Sequence, residues 1–248
     1  MNDALMIYGR RPVLEALRAR LRLRRIFLQQ GAHGEEIARI EEEVRRRNIL
    51  LERVDKKTLV ALAGDELHQG VVAEAPPYVY ADSDQLLAES AQKEVVTVVL
   101  LDELTDPHNI GAIVRTAAAL DVFAVFLPKH RSAGITPAVI KASSGAVFHV
   151  PIAQVTNLVT LTERLKAAGF WVYGAAGEGE QDFRAAHYMT RTALVIGSEG
   201  KGIRRGLRKH LDALLAIPMT GGVGSLNASV AAALFIFEAY RARHPMVH

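Results

Sequence analysis

VVTVVLLDELTDPHNIGAIVRTAAALDVFAVFLP, residues 95–128, is the stretch on which the reading of the fold turns. Its ends, Val95–Leu101 and Ala124–Pro128, are runs of valine, leucine and phenylalanine with almost no polar alternation, as in strands buried on both faces. Ile110–Leu120 between them has the composition of a helix. The pattern repeats downstream in the strand-like VFHVPI (147–152), FWVYGA (170–175), TALVIG (192–197) and ALLAIP (213–218). Helical segments at 137–142, 157–168 and 202–210 lie between, and 226–241 closes the chain. Strands alternating with helices predict an open, mainly parallel α/β sheet with helices on both faces over residues 95–248.

Working outward, residues 1–76 read as a smaller α/β unit of short elements. The spacing predicts a helix over 11–20, a strand over 24–29 and an amphipathic helix over 35–48 with Ile37, Ile40 and Val44 on one face. A strand at 49–54, a helix capped by Asp55 and the strand GVVAEA (70–75) follow, ending at Pro76-Pro77. Residues 77–94 have low periodicity and read as a linker with a short helix at 83–91.

Composition narrows the function. The 248 residues are 50% hydrophobic with no cysteine, which excludes disulfides, thiolate metal sites and a cysteine nucleophile and fits a reducing, cytoplasmic setting. No apolar run approaches the roughly 18 residues of a membrane span, and no membrane partner is expected. The net charge of +3 hides an uneven distribution. Residues 1–25 hold seven arginines (Arg10, Arg11, Arg18, Arg20, Arg22, Arg24, Arg25) against Asp3 and Glu15. Lys201, Arg204, Arg205, Arg208 and Lys209 form a second cluster with no acid among residues 200–211. Each cluster alone reads equally as a solvated surface, but two of them, with 22 arginines against 8 lysines, favour a polyanion such as nucleic acid.

In a parallel sheet ligands bind beyond the carboxyl ends of the strands. The loops LTDPHNIGAIVR (104–115), IGSEGKGI (196–203) and IPMTGGVGSLNAS (217–229) stand there. Gly-Lys at 200–201 lacks the following Ser/Thr of a P-loop, and Gly222-Val-Gly224 has Asn227 where a dinucleotide fingerprint needs its third small residue. The histidines show no metal-ligand spacing, and Ile196 replaces the glycine that a hydrolase elbow requires. What remains is a polar set: Asn109, Arg115, Glu199, Ser225 and Asn227. Each has a plain structural reading as well: caps for Asn109 and Asn227, a helix-entry residue in Ser225, a first-turn acid in Glu199 and a salt bridge for Arg115.

Together, LTDPHNIGAIVRTAAALDVFAVFLPKHRSA, ALVIGSEGKGI and LAIPMTGGVGSLNASVAAALFIFEAYR resemble the three motifs of the SpoU (TrmH-type) class of SPOUT RNA methyltransferases, in that family's order and spacing. IYGRRPVLEAL with HQGVVAEA is similar to the L30e/L7Ae-like RNA-binding domain of its ribosomal-RNA members, so the resemblance spans the chain. That combination, together with VPIAQVTNL (150–158), is most similar to members that methylate a guanosine 2′-hydroxyl of 23S rRNA.

The resemblance implies a trefoil knot in the C-terminal part, bound S-adenosylmethionine, a homodimer and no metal. It makes residues 1–76 the RNA substrate-binding domain, 77–94 the linker and 95–248 the catalytic domain. Asn109, Arg115, Glu199, Ser225 and Asn227 match the family's polar active-site residues. Gly197, Glu199, Gly200, Ile217, Met219, Ser225 and Leu226 would hold the cofactor, largely through main-chain groups. Arg10, Arg11, Arg18, Arg22, Arg24 and Arg25 would meet RNA phosphates, as would Lys201, Arg204, Arg205 and Arg208. Ala228 stands where a bulkier apolar residue is common. The same chemistry on tRNA, and a non-catalytic RNA-binding or ribosome-assembly protein on the same fold, are the alternatives; the intact polar set argues against the second.

Overall fold

The computed structural model describes residues 4–179, 181–222 and 224–244; Asp3 of the basic N-terminal stretch and Val223 of the 217–229 loop lie outside the described residues. The chain runs β1 (Leu5–Tyr8), α1 (Arg10–Arg18), β2 (Arg25–Gln29), α2 (Glu35–Arg47), β3 (Leu50–Val54), α3 (Lys56–Ala63) and β4 (Val71–Ala75). It continues through α4 (Ser83–Ala91), β5 (Val96–Leu101), α5 (Pro107–Ala119), β6 (Ala124–Pro128), α6 (Pro137–Ala142), β7 (Ile152–Val155) and α7 (Leu158–Ala167). The last elements are β8 (Trp171–Ala175), β9 (Gln181–Asp182), β10 (Arg191–Ile196), α8 (Arg205–Arg208), β11 (Ala213–Ala216) and α9 (Ala228–Arg243). Two compact units result: Met1–Val79 with Ile135–His149, and Tyr80–Gly134 with Val150–His248.

The first unit is built on a four-stranded sheet of order β1-β4-β2-β3, in which β4 runs antiparallel to both neighbours and β2 pairs parallel with β3. α2 buries Ile37, Ile40 and Val44, the stripe its period requires. The Asp55 carboxylate accepts a 2.7 Å bond from the Thr58 N–H and so starts α3.

Residues 135–149 are noncontiguous with the rest of this unit and pack into it. VFHVPI, expected as a strand, is instead a single 3-10 turn at Ala146–Phe148, and β7 begins only at Ile152. The left-handed Ser144 and Gly145 turn the chain just before it, and Pro151 has no N–H to give to a ladder. His149 contacts Glu15 at 2.7 Å, and the Tyr78 hydroxyl donates to the Val147 carbonyl at 3.2 Å. A cut at Pro76-Pro77 would therefore strip 135–149 of its packing partner.

The second unit carries a seven-stranded sheet of order β7-β6-β5-β10-β8-β11-β9, with parallel pairing throughout. Val96, Val98 and Leu100 of β5 pack with Leu86 and Leu87 of α4 and with Leu158, Leu161 and Leu165 of α7. The alternate residues Thr97, Val99 and Leu101 must point to the opposite face, the side on which α5 and α9 pack on each other and α9 reaches β8 and β10. α4, in the stretch expected to be a linker, is thus part of a core. The expected helix over 202–210 shrinks to the single turn of α8.

Gly145 has φ +87°, and a Cβ there would lie 2.7 Å from the Glu15 Cβ and 3.0 Å from the Pro12 Cα. Gly145→Ala therefore combines backbone strain with overpacking and is expected to cost about 2–3 kcal/mol. Urea unfolding followed by tryptophan-independent far-UV circular dichroism tests this; an unchanged midpoint would mean that 135–149 does not dock on α1.

Candidate active site at the carboxyl edge of the parallel sheet

Because all strands of the large sheet run the same way, the loops after β5, β8, β10 and β11 emerge at one edge. β10 lies between β5 and β8, so the chain's order reverses there, the place where open α/β sheets bind ligands.

The loop after β10 is the tightest part. Ser198 and Gly202 close a two-way bridge, with N–H to carbonyl distances of 3.2 and 2.9 Å. Gly197 must be glycine, because a Cβ there would sit 2.2 Å from the Gly202 carbonyl carbon and 2.3 Å from the Ile203 nitrogen. Beyond the turn, Arg204 reaches back to β5. Its Nε donates to Asp102 Oδ1 at 2.7 Å and its main-chain N–H to Oδ2 at 2.9 Å. Asp102 is fully buried, so this pairing is what makes its charge tolerable.

Glu199, at the tip of this turn, is not a helix acid. Its Oε1 accepts from the Asn109 amide at 3.1 Å, from the Asn227 amide, and from the Ala228 N–H at 3.4 Å. Asn227 also donates to Asn109 Oδ1 at 3.0 Å. The amide orientations follow from these partners. Asn227 Oδ1 accepts from the N–H groups of Ser229 and Val230 at the start of α9, which leaves its Nδ2 as the donor. An ionised carboxylate only accepts, so Asn109 turns its Nδ2 to Glu199 and its Oδ1 to Asn227. Three loops are thereby tied into one triangle.

Asn109 does not cap its helix. α5 starts two residues earlier, with Pro107 at its first position and Asp106 accepting the His108 N–H at 2.9 Å. Released from capping, Asn109 is buried at the triangle, 4% exposed. Asn227 performs both roles, capping α9 and joining the triangle.

A cleft of about 500 Å³ opens beside the triangle. Gly197, Glu199, Gly200, Ile217, Met219, Ser225, Leu226 and Asn227 all line it. Met219 and Leu226 present exposed apolar side chains there, and the main chain of 217–222 and 224–226 makes no hydrogen bond to another described residue. Sequence reasoning missed one wall: Ala175–Glu178, the glycine-bearing loop after β8, which the strand-end rule would have found. Phe235 of α9 completes the lining. Arg115 lies on an exposed part of α5 and does not line the cleft.

The basic residues are less free than their clustering suggested. Arg11, Arg18, Arg24 and Arg25 pair with Glu36, Glu15, Glu74 and Glu52, while Arg10 Nε donates to the Gln69 carbonyl at 3.1 Å. Arg22 is exposed without an ion pair to a described residue. These surface pairs are worth only about 0–1 kcal/mol each and can exchange for phosphate. In the second cluster Lys201 and Arg205 are exposed, whereas Arg208 meets Glu178 at 2.6 Å at the cleft wall. Arg204 is committed to Asp102, which is a structural duty. Among the described residues no three His, Asp or Glu side chains gather to hold a metal ion.

Comparison with known proteins matches two family models: the SpoU rRNA Methylase family over residues 96–237, and RNA 2′-O ribose methyltransferase substrate binding over residues 6–81. A TrmH family tRNA/rRNA methyltransferase of Staphylococcus haemolyticus is 43% identical over 245 residues, 98% of each chain. The SpoU methyltransferase AviRb of Streptomyces viridochromogenes, solved with S-adenosylmethionine, superposes with a TM-score of 0.81 at 26% identity, over 99% of this chain and 92% of that one. An S-adenosylmethionine-bound rRNA methyltransferase of Sinorhizobium meliloti does so at 0.80 and 26%, over 99% and 89%.

Asp102→Asn and Arg204→Ala should each lower stability by ~2 kcal/mol, the Arg204 side chain being partly solvated, and the double variant should cost little more than either single one. Additive losses in denaturant titrations would show that the two groups do not act as a pair.

Proposed function

We propose, for a chain that belongs to the SpoU rRNA methylase family, that it methylates the ribose 2′-hydroxyl of a guanosine in 23S ribosomal RNA, using S-adenosylmethionine. The observation that carries this reading is the Asn109–Glu199–Asn227 triangle, whose Glu199 and Asn227 line the strand-end cleft while Asn109 is buried behind them. The cleft suits the cofactor chemically: Met219, Leu226 and Ile217 offer apolar surface for a purine, and the main chain of 217–222 and 224–226, unbonded to other described residues, offers donors and acceptors for its edge. When bound, the cofactor supplies an electrophilic methyl group on a sulfonium. The RNA assignment is supported by the substrate-binding match at 6–81 and by full-length likeness to an rRNA methyltransferase.

Methyl transfer to a hydroxyl needs alignment and loss of the 2′ proton. Glu199 holds the amides of Asn109 and Asn227 in fixed orientation, which keeps the three loops in register around the cleft. Ser225, on the lining, is placed to meet the cofactor tail or the ribose. Arg115 is exposed on α5 outside the cleft lining, and the part given to it, once RNA is bound, is to stabilise the developing alkoxide. A guanidinium stays protonated in proteins, so its part is to make the hydroxyl more acidic while a phosphate oxygen or water takes the proton.

The active form is a homodimer. Val230, Leu234 and Phe237 of α9 lie at i, i+4 and i+7 and remain exposed, an apolar stripe of the kind that a second copy covers. A trefoil knot in the second unit goes with this reading, as the resemblance to the family implies. Its setting is the cytoplasm, where its RNA is made; among the described residues no helix is long and apolar enough to cross a membrane.

Incubation with methyl-labelled S-adenosylmethionine and either unmodified total rRNA or unmodified total tRNA decides the substrate. Label on one guanosine 2′-oxygen of 23S rRNA is expected; label in tRNA alone would move the substrate, and label in neither would overturn the enzymatic reading. Arg115→Ala should reduce kcat by about 10²-fold or more with cofactor affinity unchanged. Near-full activity of Arg115→Lys with an unaltered pH profile would refute the role given to Arg115.

A further inference from the structure

A second concavity, about 290 Å³, lies at the same edge of the sheet but at the other end, beyond the carboxyl ends of β6 and β7. Lys129, Gln154, Thr156, Asn157, Thr160 and Arg164 dominate its lining, and no carboxylate lines it. None of these residues belongs to the three strand-end loops 104–115, 196–203 and 217–229, although Lys129 lies in the last part of the first motif segment.

Its chemistry is one-sided. Lys129 directly follows β6, its main-chain N–H donates to the Val155 carbonyl at 2.9 Å, and its ammonium makes no ion pair with a described residue. Asn157 Oδ1 accepts from the Val159 N–H at 2.8 Å, which leaves the Asn157 Nδ2 hydrogens as donors. Arg164 pairs with Asp84 at 2.6 Å, with both side chains well exposed, so that bond is cheap to exchange. A concave surface with two cations, amide and hydroxyl donors and no acid suits an anion rich in acceptor oxygens.

Position identifies which anion. The strand order puts this groove about 15 Å along the edge from the cleft beside β10 and β8, at a spacing of ~4.8 Å per strand. That separation is within reach of a few nucleotides of single strand. Arg131 and Lys201 are further exposed cations on loops at the same edge, after β6 and β10.

We infer that the groove at the ends of β6 and β7 is a phosphodiester subsite for the RNA strand whose target ribose enters the cleft, with Lys129 as its cation. This rests on the proposed function. The catalytic unit then grips RNA itself, at a point flanking the reacting nucleotide.

The test uses the full chain and the RNA pool that wild type methylates. Lys129→Ala should raise the RNA KM about tenfold and flatten the slope of log affinity against log salt by about 0.7, one single-strand phosphate contact. Lys129→Glu should lose more, Lys129→Arg should restore both readouts, and S-adenosylmethionine affinity measured by calorimetry should not move. If wild type methylates RNA and Lys129→Glu keeps the wild-type KM and salt slope, the subsite is refuted while the proposed function stands. If wild type methylates no RNA, the proposed function fails first. Inorganic phosphate that binds in a Lys129-dependent way while the RNA KM is unaffected by the variants would assign the groove to a free anion and overturn the inference.

Discussion

A carboxylate with no access to solvent needs its charge answered within the protein, and Asp102, directly after strand β5, is such a group. Arg204 answers it with a main-chain and a side-chain donor, which obliges the chain leaving β10 to turn back toward β5. The tight loop 197–203 is the consequence. It fits in the space between the two anchors only because Gly197 has no side chain, since a Cβ there would collide with the Gly202 carbonyl carbon and the Ile203 nitrogen. Removing either constraint would release the loop that forms the floor of the cleft.

The same loop delivers Glu199 to a point where it accepts from two amides and a helix N–H at once. The arrangement is self-consistent because each amide has its acceptor end already occupied, Asn227 by the start of α9 and Asn109 by Asn227. A buried polar network of this kind is stable only when every member is satisfied. Its order holds the three loops, and with them the cleft walls, in one arrangement.

Much of this was legible in the residues. The apolar runs of β5, β6 and β10, the Ile37/Ile40/Val44 stripe and the Asp55 cap are local patterns, and local patterns survive folding. The places that misled are those where a distant group competes with a local preference. Asn109 looked like a cap because it precedes an apolar helix, yet Asp106-Pro107 begins that helix and Asn109 answers to a carboxylate ninety positions away. VFHVPI has strand composition, but left-handed residues before it and Pro151 within it leave its first part, 147–149, as a turn in the first unit, while only Ile152 enters β7. The basic clusters read as free charge, while most of the arginines have carboxylates or carbonyls as neighbours.

Sequence by itself determined the architecture class and the loops that stand at the carboxyl edge of the sheet, because strand and helix periodicity and glycine-rich strand ends are written in contiguous residues. Tertiary structure alone decided which polar groups meet. It brought Asn109, Glu199 and Asn227 into one triangle, diverted Arg204 from the surface to Asp102, and placed Lys129 beside a donor-lined groove. Contacts between residues ninety or more positions apart depend on the order and register of the strands, and neither is encoded within any one segment.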